Sequence, residues 1–349
     1  MLMNTTLRTT LLALFALLPA ALLLSPPAAA ATADLSLLQE CLLTRLANAA
    51  PDTTVGEMRK QCEQKISKVM NGAASTAQDL PRDGLTPVQA RMYDDQLNYG
   101  RDFVISPFKP NYAMLTYWDN PNEEPFASLG DGGDTLKRQE IKFQISMKAP
   151  LWRNMFETNN DLMFAYTSTS WWQYSNGDDD NSKAFRETNY EPEVFLRHYG
   201  GPKLPFGGQL SAVDLGINHQ SNGRSELLSR SWNRVMGRAY LDFDEIAVAF
   251  RAWYRIPEDE DDDDNPHMRR YYGAGDITVA WAPNKNTFTA MLRPGTEENG
   301  MELTWSYPVS RYLRIYTQYW NGYGESLLDY DTRSERIGIG FALNDLLQR

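Results

Sequence analysis

The sequence predicts an all-β protein: a twelve-stranded antiparallel transmembrane β-barrel with a short N-terminal helical extension. Three observations carry that expectation. From about Pro110 onward the chain breaks into short segments in which apolar and polar side chains alternate. The second face of those segments carries Arg and Gln beside Gly. The chain also opens on what reads as an export signal. Period-2 alternation means one apolar and one polar face, and a soluble β-sandwich shows it too. Long strands, a polar or packed second face and export together fit a barrel that is apolar outside.

Taken in order, residues 1–33 read as a secretory signal peptide. Arg8 precedes an apolar block from Leu11 to Leu24, then Pro26-Pro27 and an alanine run with cleavage expected near Ala30–Ala33. The block is too short for a bilayer-spanning helix, which disfavours the alternative of an uncleaved anchor. Residues 34–76 read as helical, since Leu37, Leu38, Cys41, Leu42 and Leu46 recur close to a 3.6-residue period. Cys41 and Cys62 are the two cysteines. In an exported chain they suggest one disulfide stapling this extension; without nearby histidines they make a poor zinc site. The turn-rich stretch Asn71 to Gln89 reads as a linker. The expected organisation is therefore 1–33 signal, 34–90 extension and linker, and 108–349 barrel.

Twelve alternating segments follow, near 110–118, 139–149, 161–175, 186–199, 208–219, 229–243, 244–256, 268–281, 286–294, 299–307, 311–322 and 333–344. In the last, Ile337, Ile339, Phe341 and Leu343 oppose Gly338, Gly340 and Ala342. In the one before it, Leu313, Ile315 and Tyr319 oppose Arg314 and Gln318. The 18 Tyr, 14 Phe and 9 Trp would supply the aromatic girdles of such a barrel. A net charge of −11 argues against nucleic acid, which wants a basic surface.

The stretch "INHQSNGRSELLSRSWNRV" holds one of three histidines. On a strand, Val213, Leu215, Ile217, His219 and Ser221 share one face, and it is the apolar one. Ser231, Asn233, Val235 and Ala239 share the matching face of the next segment. Stray polar groups on a lipid-facing wall are costly unless they satisfy one another. The short connection makes the two segments hairpin neighbours, so the Asn233 amide can approach the imidazole. Triad logic then gives Ser221 as nucleophile, His219 as base and Asn233 as the group orienting the ring. An H-x-S pair alone reads as structural more often than not, and it is the shared face that singles this one out. There is no G-x-S-x-G elbow, so an α/β-hydrolase is not indicated.

"HQSNGRSELLSRSWNR", "SWWQYSNGDDDNSKAFRETNYEPEVFL" (Ser170 to Leu196) and "RIYTQYWNGYGESLLDY" (Arg314 to Tyr330) resemble the signature segments of the outer membrane phospholipase A family. The resemblance runs from Phe108 to Asp345. It implies an outer-membrane barrel that hydrolyses acyl esters of glycerophospholipids, with A1 and A2 activities. The implied triad lies on the outer surface and matches His219, Ser221 and Asn233. The family is calcium-dependent and active as a homodimer. Carried over, the catalytic calcium would be held by the Arg224 carbonyl, Ser229 and Ser182 of the partner subunit, with Gly223 N–H at the oxyanion. Asp264, in the acidic loop "EDEDDDDNPHMRRYY", would bind a second calcium in the monomer; composition alone reads that loop as solvated. His267 and His198 are given no catalytic role. Gln220, Glu226 and Ser168 depart from the family pattern; Gln220 faces inward, Glu226 bears on a calcium contact and Ser168 on substrate positioning. The competing reading is a non-catalytic barrel, a porin or adhesin, in which His219 and Ser221 would be dispensable.

Overall fold

A computed structural model describes residues 54–58, 60–62, 86–98, 105–127, 136–174, 185–259, 261 and 263–347. The expected signal peptide, Cys41 and Ser182 lie outside them. The chain divides into two compact units, Met1–Pro81 and Arg82–Arg349. In the first, residues 55–58 and 60–62 are helical. Thr54 and Glu57 open that helix with a reciprocal capping box: Glu57 N donates to Thr54 Oγ1 at 3.3 Å, and Thr54 N donates to Glu57 Oε2 at 3.2 Å. Met58 and Cys62, one helical turn apart, are buried, and Cys62 is disulfide-bonded.

The first described element of the second unit is a helix, α1 (Pro87–Asn98), which starts within the stretch expected to be linker and runs past its end. The reason is local. Thr86 and Gln89 form another capping box, with Pro87 as the first helical residue. Arg91 of α1 is buried and donates to the carbonyls of Pro107 (3.0 Å), Phe108 (2.6 Å) and Leu346. Asp95 pairs with Lys148, and Val88 packs with Ala247, Ala280, Ala282 and Leu347. These contacts seat α1 in one end of the lumen.

Among the described residues thirteen strands form one antiparallel sheet; one is the two-residue Ser106–Pro107, and the other twelve make the barrel wall. They are β1 (Asn111–Trp118), β2 (Gln139–Trp152), β3 (Asn160–Trp172), β4 (Phe185–Tyr199), β5 (Gln209–Ser221), β6 (Ser231–Phe243), β7 (Ile246–Arg255), β8 (Gly275–Trp281), β9 (Thr287–Pro294), β10 (Asn299–Pro308), β11 (Arg314–Gly322) and β12 (Ser334–Asn344). β12 pairs back onto β1, from Arg336↔Trp118 to Ala342↔Tyr112, and closes the wall. Closure leaves no strand edge unpaired in the bilayer, as a spanning sheet requires. It also removes the soluble-sandwich alternative.

One expected strand starts late. Residues Met268–Tyr272 form a short helix, α2, and β8 begins only at Gly275. Met268 and Tyr272, four apart, pack with Trp232, Trp253, Leu327 and Tyr330 in a core cluster, so helical spacing wins there. Gly273 follows at φ +62°, a conformation that suits glycine and stops the helix.

Alternation sorts the wall as expected. Leu215, Ile217, Val235, Ile337, Ile339, Phe341 and Leu343 are exposed on the outside. Inside, charges are buried in pairs. Glu140 receives Arg186 Nε at 2.7 Å and Arg336 Nη1 at 2.6 Å, while Glu325 receives Lys142 at 2.9 Å and Arg336 Nε at 2.9 Å. Buried ions of this kind persist only when paired and hydrogen-bonded. A cavity of about 340 Å³ remains in the lumen, lined by Lys109, Glu191, Arg234 and Arg251 among others.

Candidate active site

β5 and β6 are joined by residues 222–230, and their register sets Ile217 opposite Val235, His219 opposite Asn233 and Ser221 opposite Ser231. All six side chains point outward, away from the lumen cavity. Nδ1 of His219 lies 2.9 Å from Oδ1 of Asn233. His219, Ser221 and Asn233 are half-buried, whereas Leu215 and Ile217 below them on β5 are exposed. The polar patch thus sits at the rim of an apolar wall. Ser221 shares the His219 face; among the described residues no hydrogen bond joins the two. A serine–histidine contact that is long without substrate and tightens on binding is ordinary for hydrolases.

A row of outward side chains crosses the sheet through Ser221. Ser168 of β3 faces Tyr190 of β4, Tyr190 faces Ser221, and Ser221 faces Ser231. Exposed Trp172, Phe185, Tyr190 and Tyr254 surround this rim, the composition of an interfacial aromatic belt. Gln220, between His219 and Ser221, turns inward and accepts from Trp232 Nε1 at 2.9 Å.

The loop after Ser221 is locked by a residue that sequence reasoning passed over. Asn222, buried, accepts from Arg230 N at 3.0 Å and Arg224 N at 3.3 Å, and donates to Leu228 O at 2.8 Å. Gly223 follows at φ +66°, with Tyr190 Cε2 3.0 Å from where a Cβ would stand. Both facts favour glycine there. The Arg224 side chain turns back to the Phe185 carbonyl at 3.1 Å and to Glu187 at 3.6 Å.

Two residues expected at different calcium ions, Ser229 and Asp264, meet at the same rim. Ser229 Oγ donates to Asp264 Oδ2 at 2.6 Å, and Ser231 Oγ lies 3.4 Å from that oxygen. Neighbouring Asn265, fully buried, accepts from Ser231 N at 3.1 Å and anchors the acidic loop to β6. Among the described residues no trio of His, Cys, Asp and Glu converges. What converges is hydroxyl and carboxylate oxygen, a donor set that suits a hard cation such as Ca²⁺. Glu226 is exposed with φ +56°, and His267 is exposed.

A second residue escaped the sequence reading. Glu258 Oε1 accepts from Asn233 Nδ2 at 3.2 Å, and Glu258 Oε2 lies 3.4 Å from Arg255 Nη2. Arg255 also holds Asp263 at 2.5 Å. Burial pushes the Glu258 carboxyl above its ordinary range, against the pull of Arg255. No signal in the acidic run distinguishes Glu258 from its neighbours.

A closed twelve-stranded wall, apolar outside and ion-paired inside, with this polar patch at one rim, defines an outer-membrane β-barrel. Comparison with known proteins narrows the class. The Phospholipase A1 family model matches residues 88–343. The chain is 38% identical to the Phospholipase A1 of Escherichia coli (strain K12) over 246 residues, 70% of this chain and 83% of that protein. Outer membrane phospholipase A from Escherichia coli superposes at a TM-score of 0.66 with 37% identity, covering 70% of this chain and 100% of that one; a solved variant of it is an active-site asparagine-to-alanine mutant. The calcium-bound dimer of the Salmonella typhi outer membrane phospholipase superposes at 0.65 with 36% identity, covering 70% and 94%. The chain belongs to the phospholipase A1 family. It is an outer-membrane phospholipase, which removes the porin or adhesin alternative.

Proposed function

We propose that the chain hydrolyses acyl esters of glycerophospholipids, with A1 and A2 activities, through Ser221, His219 and Asn233 on its outer wall. The observation that carries this reading is the 2.9 Å His219–Asn233 contact on the lipid-facing side, two residues along the strand from Ser221. The active-site asparagine of the Escherichia coli relative supports it.

His219 Nε2 takes the Ser221 proton as Oγ attacks the ester carbonyl, and the carbonyl oxygen becomes an oxyanion. Gly223 N–H donates to it. Collapse expels the lysophospholipid alkoxide, which recovers the proton from His219 and leaves an acyl-serine. Water, deprotonated by His219, then releases the fatty acid and restores Ser221. Asn233 holds the ring angle throughout. A site at the rim meets ester bonds at the depth where a bilayer presents them, so the substrate need not leave the membrane.

Calcium would be held by the Arg224 carbonyl and Ser229, with Ser182 of the partner subunit completing the site, and a second ion by Asp264. When bound, it supplies Lewis-acid stabilisation to developing negative charge. The active form is a homodimer, as the calcium-bound Salmonella typhi relative is. Fatty-acid release from mixed micelles tests the reading. Chelation should abolish release and added calcium should restore it, and calcium with a substrate analogue should raise the dimer fraction in sedimentation. Full release in excess chelator would overturn the calcium assignment, and full release by Ser221→Ala would overturn the triad.

A further inference from the structure

Asparagine is an ambiguous partner for a histidine. Its side chain ends in an acceptor oxygen and a donor NH2 of nearly equal size, and exchanging them reverses which imidazole nitrogen carries the proton. With Oδ1 toward His219, Nδ1 keeps its hydrogen and Nε2 has the free lone pair a base needs. With Nδ2 toward His219, Nε2 carries the hydrogen and the base is lost. A group beyond the pair has to decide between the two.

Glu258 stands where that decision is made. Its Oε1 is 3.2 Å from Asn233 Nδ2. A carboxylate has no hydrogen to give, so only the NH2 edge of the amide can face it. Turning the amide over would put two acceptor oxygens against each other. Glu258 is itself held from behind, with Arg255 Nη2 3.4 Å from Oε2 and Arg255 anchored to Asp263 at 2.5 Å. The loop that carries it is fixed to the same strand residue, because Ile256 N donates to Asn233 O at 2.8 Å. Both ends of Asn233, backbone and side chain, are therefore tied to residues 256–258.

We propose that Glu258 is a positioning residue of the phospholipase reaction: its hydrogen bond to Asn233 fixes the orientation of the amide, and through it the His219 tautomer that accepts the Ser221 proton. The proposal rests on the Ser221–His219–Asn233 reading. The carboxylate also places a negative charge behind the neutral amide, and such a charge favours the imidazolium that forms during attack. It supplies part of what asparagine lacks relative to the aspartate of other triads.

The test uses the full-length protein in mixed micelles at saturating calcium, with kcat, KM and the half-activating calcium concentration read separately. Glu258→Ala should lower kcat about tenfold with KM and calcium requirement unchanged. Glu258→Gln keeps an acceptor for Asn233 Nδ2 but loses the charge and adds an NH2 that can face the amide the other way, so its kcat should lie between those of Glu258→Ala and the unsubstituted protein. In an Asn233→Ala background, Glu258→Ala should cost nothing further, since the two act as one unit. A kcat within about twofold of normal for Glu258→Ala would overturn the proposal. So would an equal loss in the Asn233→Ala background, or a loss that extra calcium repairs. Retention of full activity by Ser221→Ala or His219→Ala is a different failure, that of the catalytic reading itself.

Discussion

The outer wall carries two histidine–asparagine pairs, and they make a natural comparison. His219 faces Asn233 across β5 and β6 at 2.9 Å. His198 faces Asn160 across β4 and β3 at 2.8 Å. Residue types, cross-strand geometry and outward direction are the same. The surroundings differ. Two residues beyond His219 is Ser221, on the same face; two beyond His198 is Gly200, which offers no nucleophile. Asn233 Nδ2 donates to the Glu258 carboxylate, while Asn160 Nδ2 donates to the Thr158 hydroxyl at 2.6 Å. His219 is half-buried beside the loop that Asn222 locks, and His198 is exposed at the opposite end of the wall. A histidine–asparagine contact is thus common polar satisfaction on a barrel. What sets the His219 pair apart is Ser221 on its face and the Glu258 carboxylate behind its amide, the additions on which the proposed chemistry rests.

Removing each amide in turn sharpens that contrast. Asn233→Ala should lower kcat by about two orders of magnitude, because the imidazole loses its orienting partner; rates from single-turnover fatty-acid release would show it. Asn160→Ala or His198→Ala should leave kcat within about twofold of normal, the ordinary result for an exposed polar pair. If the His198 variant lost as much activity as the Asn233 variant, the two pairs would not differ in the way their surroundings indicate.

Much of this contrast was legible in the sequence, and for physical reasons. Side-chain alternation is a strict period, so parity alone put His219, Ser221 and Asn233 on the apolar face and Gln220 on the other. The expected segments 208–219 and 229–243 fall within two residues of the strand ends at Ser221 and Ser231. Two helices were less visible. The α1 start hides in a polar, turn-rich stretch where only the Thr86–Gln89 capping box announces it. α2 replaces the first part of an expected strand because Met268 and Tyr272 meet a core that the local sequence does not reveal. Glu258 was illegible altogether. It sits in an acidic loop with no period, and only the folded path from Ile256 selects it over its neighbours. Family resemblance supplied candidates for calcium, but not the 2.6 Å approach of Ser229 to Asp264, which depends on Asn265 anchoring that loop to β6.

The central claim is that Ser221 is the nucleophile and that its reactivity depends on His219. Reaction with a long-chain alkyl fluorophosphonate in calcium-containing micelles, followed by peptide mass mapping, examines it directly. The expected result is a single phosphonylated serine at Ser221, lost activity in proportion to labelling, no labelling in His219→Ala, and unchanged labelling in His198→Ala. Inactivation with the label on another residue, or Ser221 labelled equally well without His219, would contradict it.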